Sequence, residues 1–342
     1  MKRYFSITLT VFMLLAVLSG CSQSIDPASD GGEPAFEPIV KIKIVSTIFP
    51  QYDWVREIIG DRAEYFELTL LVDSYVDLHS YQPSVSDIAK VSACDLFIYV
   101  GGHSDKWVEN ALKQAMNSEL TAISLVEVLG DAVKTERLSG GMTHACDDDD
   151  CDYDHGSPSV PEEEHEDEHV WLSLRTAQVF CEAITEAIIQ EDPENAEVYR
   201  NNLSAYIEKL KALDAEFTAM ADEAEVKTVV FGDRFPFLYL VDDYGIDFYA
   251  AFSGCSAETE ASFSTIVTLA GKMDSLNLTN IMVTESANQS IAETIISNTK
   301  DRNQKILVLD AMQSVTAKDV NEGVTYLSVM ESNLEVLREA LR

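Results

Sequence analysis

The chain is 342 residues long, room for two domains, and 46% of it is hydrophobic, enough to build a core. Its 59 acidic residues outnumber 24 basic ones, for a formal charge of −35. That balance excludes nucleic acid, whose phosphates would be repelled, and favours cationic ligands.

In chain order, residues 1–20 read as a leader rather than part of the fold. Lys2 and Arg3 precede an apolar run from Ile7 to Leu18 that is too short for a stable membrane span. Leu18-Ser19-Gly20-Cys21 follows and resembles the bacterial lipobox, which implies lipidation of Cys21 as the new N-terminus. Loss of Lys2 and Arg3 with the leader takes the charge from −35 to −37. Residues 21–39, rich in Ser, Asp, Gly, Pro and Glu, are expected to form a flexible tether.

Short β-branched runs then alternate with longer helical patterns. Strands are expected at Lys41–Ser46, Phe66–Val72, Asp95–Val100 and Ala122–Leu125. Helices are expected near Tyr52–Ile59, from Ser84, where Ser84-Val85-Ser86-Asp87 resembles a capping box, and from Asp105 to Met116. Cys94 falls inside an apolar run and reads as a small core residue.

Residues 144–169 break this pattern. They hold four of the six histidines (His144, His155, His165 and His169), Cys146, Cys151, twelve carboxylates and no lysine or arginine. A run of like charge repels itself and is expected to be a solvated loop. Its imidazoles point to divalent cations, since acidity alone does not need them. Cys146 and Cys151 can pair or bind metal. Cys21 aside, five cysteines remain, an odd number, so at least one stays unpaired within a monomer.

Leu172 to Gln190 has helical periodicity, broken at Asp192-Pro193. The next helix is expected from Glu194 to about Asp222, with an apolar stripe of Leu203, Tyr206, Ile207, Leu210, Leu213 and Phe217. At 1.5 Å per residue it spans about 40 Å, enough to bridge two domains. A second βα series follows, with strands at Lys227–Phe231, Asp247–Phe252, Ile281–Thr284 and Lys305–Leu309, and a closing helix from about Gly323 to Leu341. The expected class is α/β: two lobes, each a mostly parallel sheet flanked by helices, joined by one long rigid helix. The boundaries are 40–193, 194–223 and 224–342.

Ligands of open α/β sheets gather beyond the carboxyl ends of the strands. The groups found there are His79, Asp233, Glu285 and Asp310, with His169 after the acidic loop. Neutral imidazole with carboxylate suits zinc and tolerates manganese or iron; copper(I) would want sulfur, which these positions lack. His103 reads as an exposed loop residue, and Trp107 and Trp171 as packing anchors. His165-Glu166-Asp167-Glu168-His169 also matches the zincin pattern, in which a helix presents both histidines and the glutamate acts as base. That reading makes the chain a zinc metallohydrolase, but six like charges within residues 162–168 oppose a buried helix there.

Several segments together resemble the solute-binding lipoproteins of ABC importers for zinc and manganese. They are Ser46-Thr47-Ile48-Phe49-Pro50, Asp77 through Ser84, Ala93 through Gly102, Lys106-Trp107-Val108, Glu168 through Ser173, and Asp192 through Ala196 with Tyr199 and Asn202. The resemblance covers most of residues 42–342. It implies two lobes with a divalent metal between them and delivery to a membrane permease, without enzymatic chemistry. It carries His79 and His169 over as ligands, places Asp310 where manganese-type members have a carboxylate, and makes His144, His155 and His165 an auxiliary zinc-capturing loop. The family's third ligand falls at Arg234, whose guanidinium cannot bind a cation. Asp233, Glu258 or Glu260 are the substitutes, or Arg234 pairs with a carboxylate and the site is built differently. The expectation is a monomeric, lipid-anchored, extracytoplasmic zinc receptor, with a manganese or iron receptor or an adhesin of the same family as the alternative.

Overall fold

Two four-stranded parallel sheets organise the described residues, which are 40–73, 78–136, 166–256 and 260–342 of a computed structural model. The first is built from β1 (Ile42–Ser46), β2 (Phe66–Leu70), β3 (Leu96–Tyr99) and β4 (Thr121–Ser124), in the order β2-β1-β3-β4. The second is built from β5 (Thr228–Phe235), β6 (Asp247–Ser253), β7 (Asn280–Thr284) and β8 (Lys305–Leu309), in the order β6-β5-β7-β8. The second sheet repeats the order of the first, and every pairing is parallel.

The helices of the first half are α1 (Phe49–Ile59), α2 (Val85–Ser92), α3 (Lys106–Lys113), α4 (Leu125–Leu129) and α5 (Leu174–Glu191). The long helix α6 (Ala196–Glu223) joins the lobes, and α7 (Leu238–Tyr244), α8 (Phe263–Leu276), α9 (Ser290–Ser297), α10 (Ala317–Asn321) and α11 (Tyr326–Ala340) complete the second. The expected capping box starts α2: Ser84 Oγ accepts from the Asp87 amide at 3.2 Å, and the Ser84 amide donates to the Asp87 carboxylate at 3.0 Å. No helix of the described residues is long and apolar enough to cross a membrane.

Asp192 is the joint before α6. Its carboxylate accepts from the Asn195 side chain at 2.8 Å and from the Tyr199 hydroxyl, which turns the chain out of α5. The stripe on α6 is buried as expected, except that Leu203 is half-buried, and Tyr199, Met220 and Ala221 join it. Asn202 donates to the Ile58 carbonyl at the end of α1 at 2.9 Å. At the other end Phe217 stacks on Tyr244 of α7, ring centroids 5.1 Å apart. One buried apolar cluster runs through both lobes; at its centre Trp54 of α1 packs against Phe180 and Tyr326, at 5.8 and 5.3 Å.

One strand departs from expectation where the site is concerned. The sequence predicts an end at Phe231, yet β5 continues to Phe235, with a register shift between Phe231 and Arg234. Asp233 and Arg234 are therefore strand residues and not part of the loop beyond.

Candidate metal centre

His79 lies in a short helical turn, Leu78–Ser80, after β2, fixed by the buried Leu78. His169 opens another, Val170–Leu172, whose three side chains are all fully buried. Trp171 anchors that turn across the lobes: its indole donates to the Ala311 carbonyl at 2.9 Å, and its own carbonyl accepts from the Tyr326 hydroxyl at 2.8 Å. It is the packing anchor the sequence led us to expect. A third segment, the Gly101–Ser104 loop after β3, holds the first two together. Glu168 accepts from the amides of His103 and Ser104, and Gly102, at φ +73°, lies so close to that carboxylate that a Cβ would sit 2.5 Å from its Oε1.

The two rings meet. His79 Nε2 and His169 Nε2 are 3.1 Å apart. His169 Nδ1 is 3.0 Å from the Asp167 carboxylate, which only accepts, so the proton sits on Nδ1 and Nε2 presents its lone pair. His79 Nδ1 is 2.7 Å from the Ser104 hydroxyl and 3.8 Å from Glu168 Oε2, a negative neighbour that favours the same tautomer. In that tautomer both Nε2 atoms, which face each other, can donate to one shared ion. Tetrahedral zinc with bonds near 2.0–2.1 Å sets its nitrogen ligands about 3.3 Å apart, close to the separation here. His169 is fully buried, whereas the His79 side chain keeps 14% of its exposure, which leaves a way in for an ion.

Both imidazoles are braced from behind. The Asp167 carboxylate also accepts from the His169 amide at 2.8 Å. The Tyr239 hydroxyl donates to the Asp167 carbonyl at 3.0 Å and accepts from the Lys134 amide at 2.9 Å. Asp105, behind Glu168, holds the Gly101 amide at 2.9 Å, and burial pushes its carboxyl up to about 6.

The third member is Cys255. Among the described residues, His79, His169 and Cys255 place one ligand atom each within 4.8 Å of one another. Cys255 stands two residues past the end of β6, and its amide donates to Glu136 at 2.9 Å. Burial, with Glu136 adding, pushes its thiol well above the usual range. The positions singled out from the sequence carry no sulfur, and the structure adds Cys255 to them. The odd cysteine was the only hint, because a single Cys in a loop has no spacing to read.

The carboxylates expected as ligands lie outside that cluster and make other hydrogen bonds. Asp233, inside β5, accepts from the Thr284 amide at 3.2 Å and from the Thr284 hydroxyl. Asp310 accepts from the Met312 amide at 2.7 Å, and burial beside Glu285 holds its carboxyl well above the ordinary range. Glu285 itself ties down the loop after β8 through the Ala311 and Gln313 amides, at 2.9 and 3.1 Å. Glu260 is exposed, and Arg234 lines a small cleft with Glu285 and Gly254. His103 is exposed, as expected, with its Nδ1 2.8 Å from the Lys106 ammonium.

The zincin helix does not form. Glu166 is exposed and makes an isolated antiparallel bridge with Thr135, and Asp167 and Glu168 have no helical conformation. Cys21, Cys146, Cys151, His144, His155, His165 and Glu258 lie outside the described residues.

The family profile described as "Zinc-uptake complex component A periplasmic" matches residues 44–340. The chain belongs to this family. It is 31% identical over 300 residues to the zinc-binding lipoprotein AdcA of Streptococcus pneumoniae, a match covering 87% of this chain and 56% of that protein. The chain thus spans little more than half the length of that relative. The high-affinity zinc uptake system protein ZnuA of Bacillus subtilis is 28% identical over 341 residues, covering 96% of this chain and 94% of the relative. The solved Zn(II)-bound ZnuA-like domain of S. pneumoniae AdcA superposes with a TM-score of 0.66 at 27% identity, over 88% of this chain and 99% of that domain.

Proposed function

We propose that this protein is the extracytoplasmic receptor of an ABC importer for zinc. It binds one zinc ion between its lobes, surrenders it to a membrane permease and does no chemistry on it. His79 and His169 are ligands. A lipid on Cys21 anchors a monomer to the membrane, and the acidic stretch with His144, His155 and His165 gathers the ion. The observation that carries this reading is the 3.1 Å approach of two Nε2 atoms, each with its Nδ1 occupied by a neighbour. The family to which the chain belongs and the zinc-binding relatives support it.

Zinc titration of metal-stripped protein tests it. The parent chain is expected to bind one tightly held equivalent that the His79→Ala, His169→Ala double variant does not. Undiminished binding at that site in the double variant rules the reading out.

A further inference from the structure

We propose that the Cys255 thiolate is the third zinc ligand, and that the resulting two-nitrogen, one-sulfur donor set holds zinc in preference to manganese. The proposal rests on the receptor reading and deepens it by naming what closes the site from the second lobe.

Position comes first. The histidines belong to the first lobe, and Cys255 follows β6 of the second, yet its sulfur lies with them inside a 4.8 Å cluster. Tetrahedral zinc, with Zn–S near 2.3 Å and Zn–N near 2.0–2.1 Å, needs nitrogen–sulfur separations of about 3.6 Å. A shift of about one ångström at the sulfur, within the reach of one side-chain rotation, completes the geometry.

The chain is also shaped for this approach. Gly254 lies against the His169 ring, and a Cβ there would meet His169 Cε1 at 2.9 Å and the Phe235 carbonyl oxygen at 2.9 Å. Only a glycine lets the strand end come close enough to deliver the next residue. Among the described residues no second-lobe donor besides Cys255 joins the two histidines in that cluster: the Arg234 guanidinium cannot ligate, and Asp233 accepts from Thr284.

Chemistry supplies the selectivity. Thiolate is a soft ligand that zinc accepts readily, while manganese prefers carboxylate and water. Forming the Zn–S bond replaces the S–H bond, and the proton leaves to solvent.

The test uses cobalt(II), whose bond to thiolate gives a sulfur-to-metal charge-transfer absorption in the near ultraviolet. The protein is the full chain with Cys21→Ser, Cys146→Ser and Cys151→Ser, which removes the thiols outside the described residues. It is expected to bind one equivalent with that absorption. Adding Cys255→Ser is expected to abolish the absorption, to weaken zinc more than about 100-fold, beyond the loss typical of outer-shell partners, and to shrink the zinc-to-manganese affinity ratio. One equivalent of cobalt without the absorption, or an absorption that survives Cys255→Ser, overturns the thiolate assignment and leaves the receptor reading standing. Stoichiometric binding at the site between the lobes that survives His79→Ala with His169→Ala overturns the receptor reading itself.

Discussion

His169, the proposed ligand, is held in place by its own neighbours. The Asp167 carboxylate accepts from the ring Nδ1–H and from the backbone amide of His169 at once, which fixes both tautomer and ring plane. Ser104 does the equivalent for His79, and Glu168 holds the loop carrying Ser104. Partners of this kind typically contribute 10–100-fold in metal affinity. Ser104→Ala and Asp167→Asn are therefore each expected to weaken zinc by about that factor, with one equivalent still bound, in a competition titration against a chelator. Unchanged affinity in both would show that the bracing is incidental. That the two histidines meet was legible in the sequence, because each lies beside a recognisable segment. The braces were not, since Ser104 and Asp167 acquire their roles only when chain segments 25 and 2 residues from the histidines fold back onto the rings. Cys255 was not legible either, because its partners are 86 and 176 residues away in a different lobe.

The third-ligand position illustrates the same limit among the elements. Counting along the chain lands on Arg234, and Asp233 is the nearest carboxylate. That reading assumes β5 ends at Phe231, where the apolar run ends. The strand instead shifts register and continues, so Asp233 spends its carboxylate on Thr284 at the end of neighbouring β7. Hydrophobic patterning locates strand centres well and strand ends poorly, and metal ligands sit at ends. The long helix was the opposite case, since its stripe from Leu203 to Phe217 repeats over about four turns. Phe217 lies towards its C-terminal end, fully buried and stacked on Tyr244. Phe217→Ala is expected to cost about 3–5 kcal/mol of stability in denaturant unfolding. A loss under about 1 kcal/mol would mean that α6 is not a shared strut of the two lobes.

Across the molecule, the first helix is tied to the last. The Tyr326 amide of α11 donates to Asp53 of α1 at 2.8 Å, in a core where Asp53 is almost wholly buried. Burial outweighs that bond and the Arg56 guanidinium, and raises the Asp53 carboxyl from 3.8 to about 6. A carboxyl raised on folding favours the native state fully below its unfolded value, and this contribution is lost as pH rises through about 6. Asp53→Asn removes that slope. Its melting temperature relative to the parent is expected to climb between pH 4 and 7 and then level off. A constant difference across that range would contradict the burial argument. The two-lobed α/β class was readable from alternating runs alone, whereas the continuity of the core through Trp54, Phe180 and Tyr326 depends on contacts that no local pattern encodes.

Zinc-edge X-ray absorption on the singly loaded chain, with the ion located by anomalous diffraction, addresses the site directly. The expected result is one zinc between the lobes, bound by His79 Nε2, His169 Nε2 and one sulfur at about 2.3 Å. A first shell of only nitrogen and oxygen, or a zinc lying away from these two rings, would contradict it.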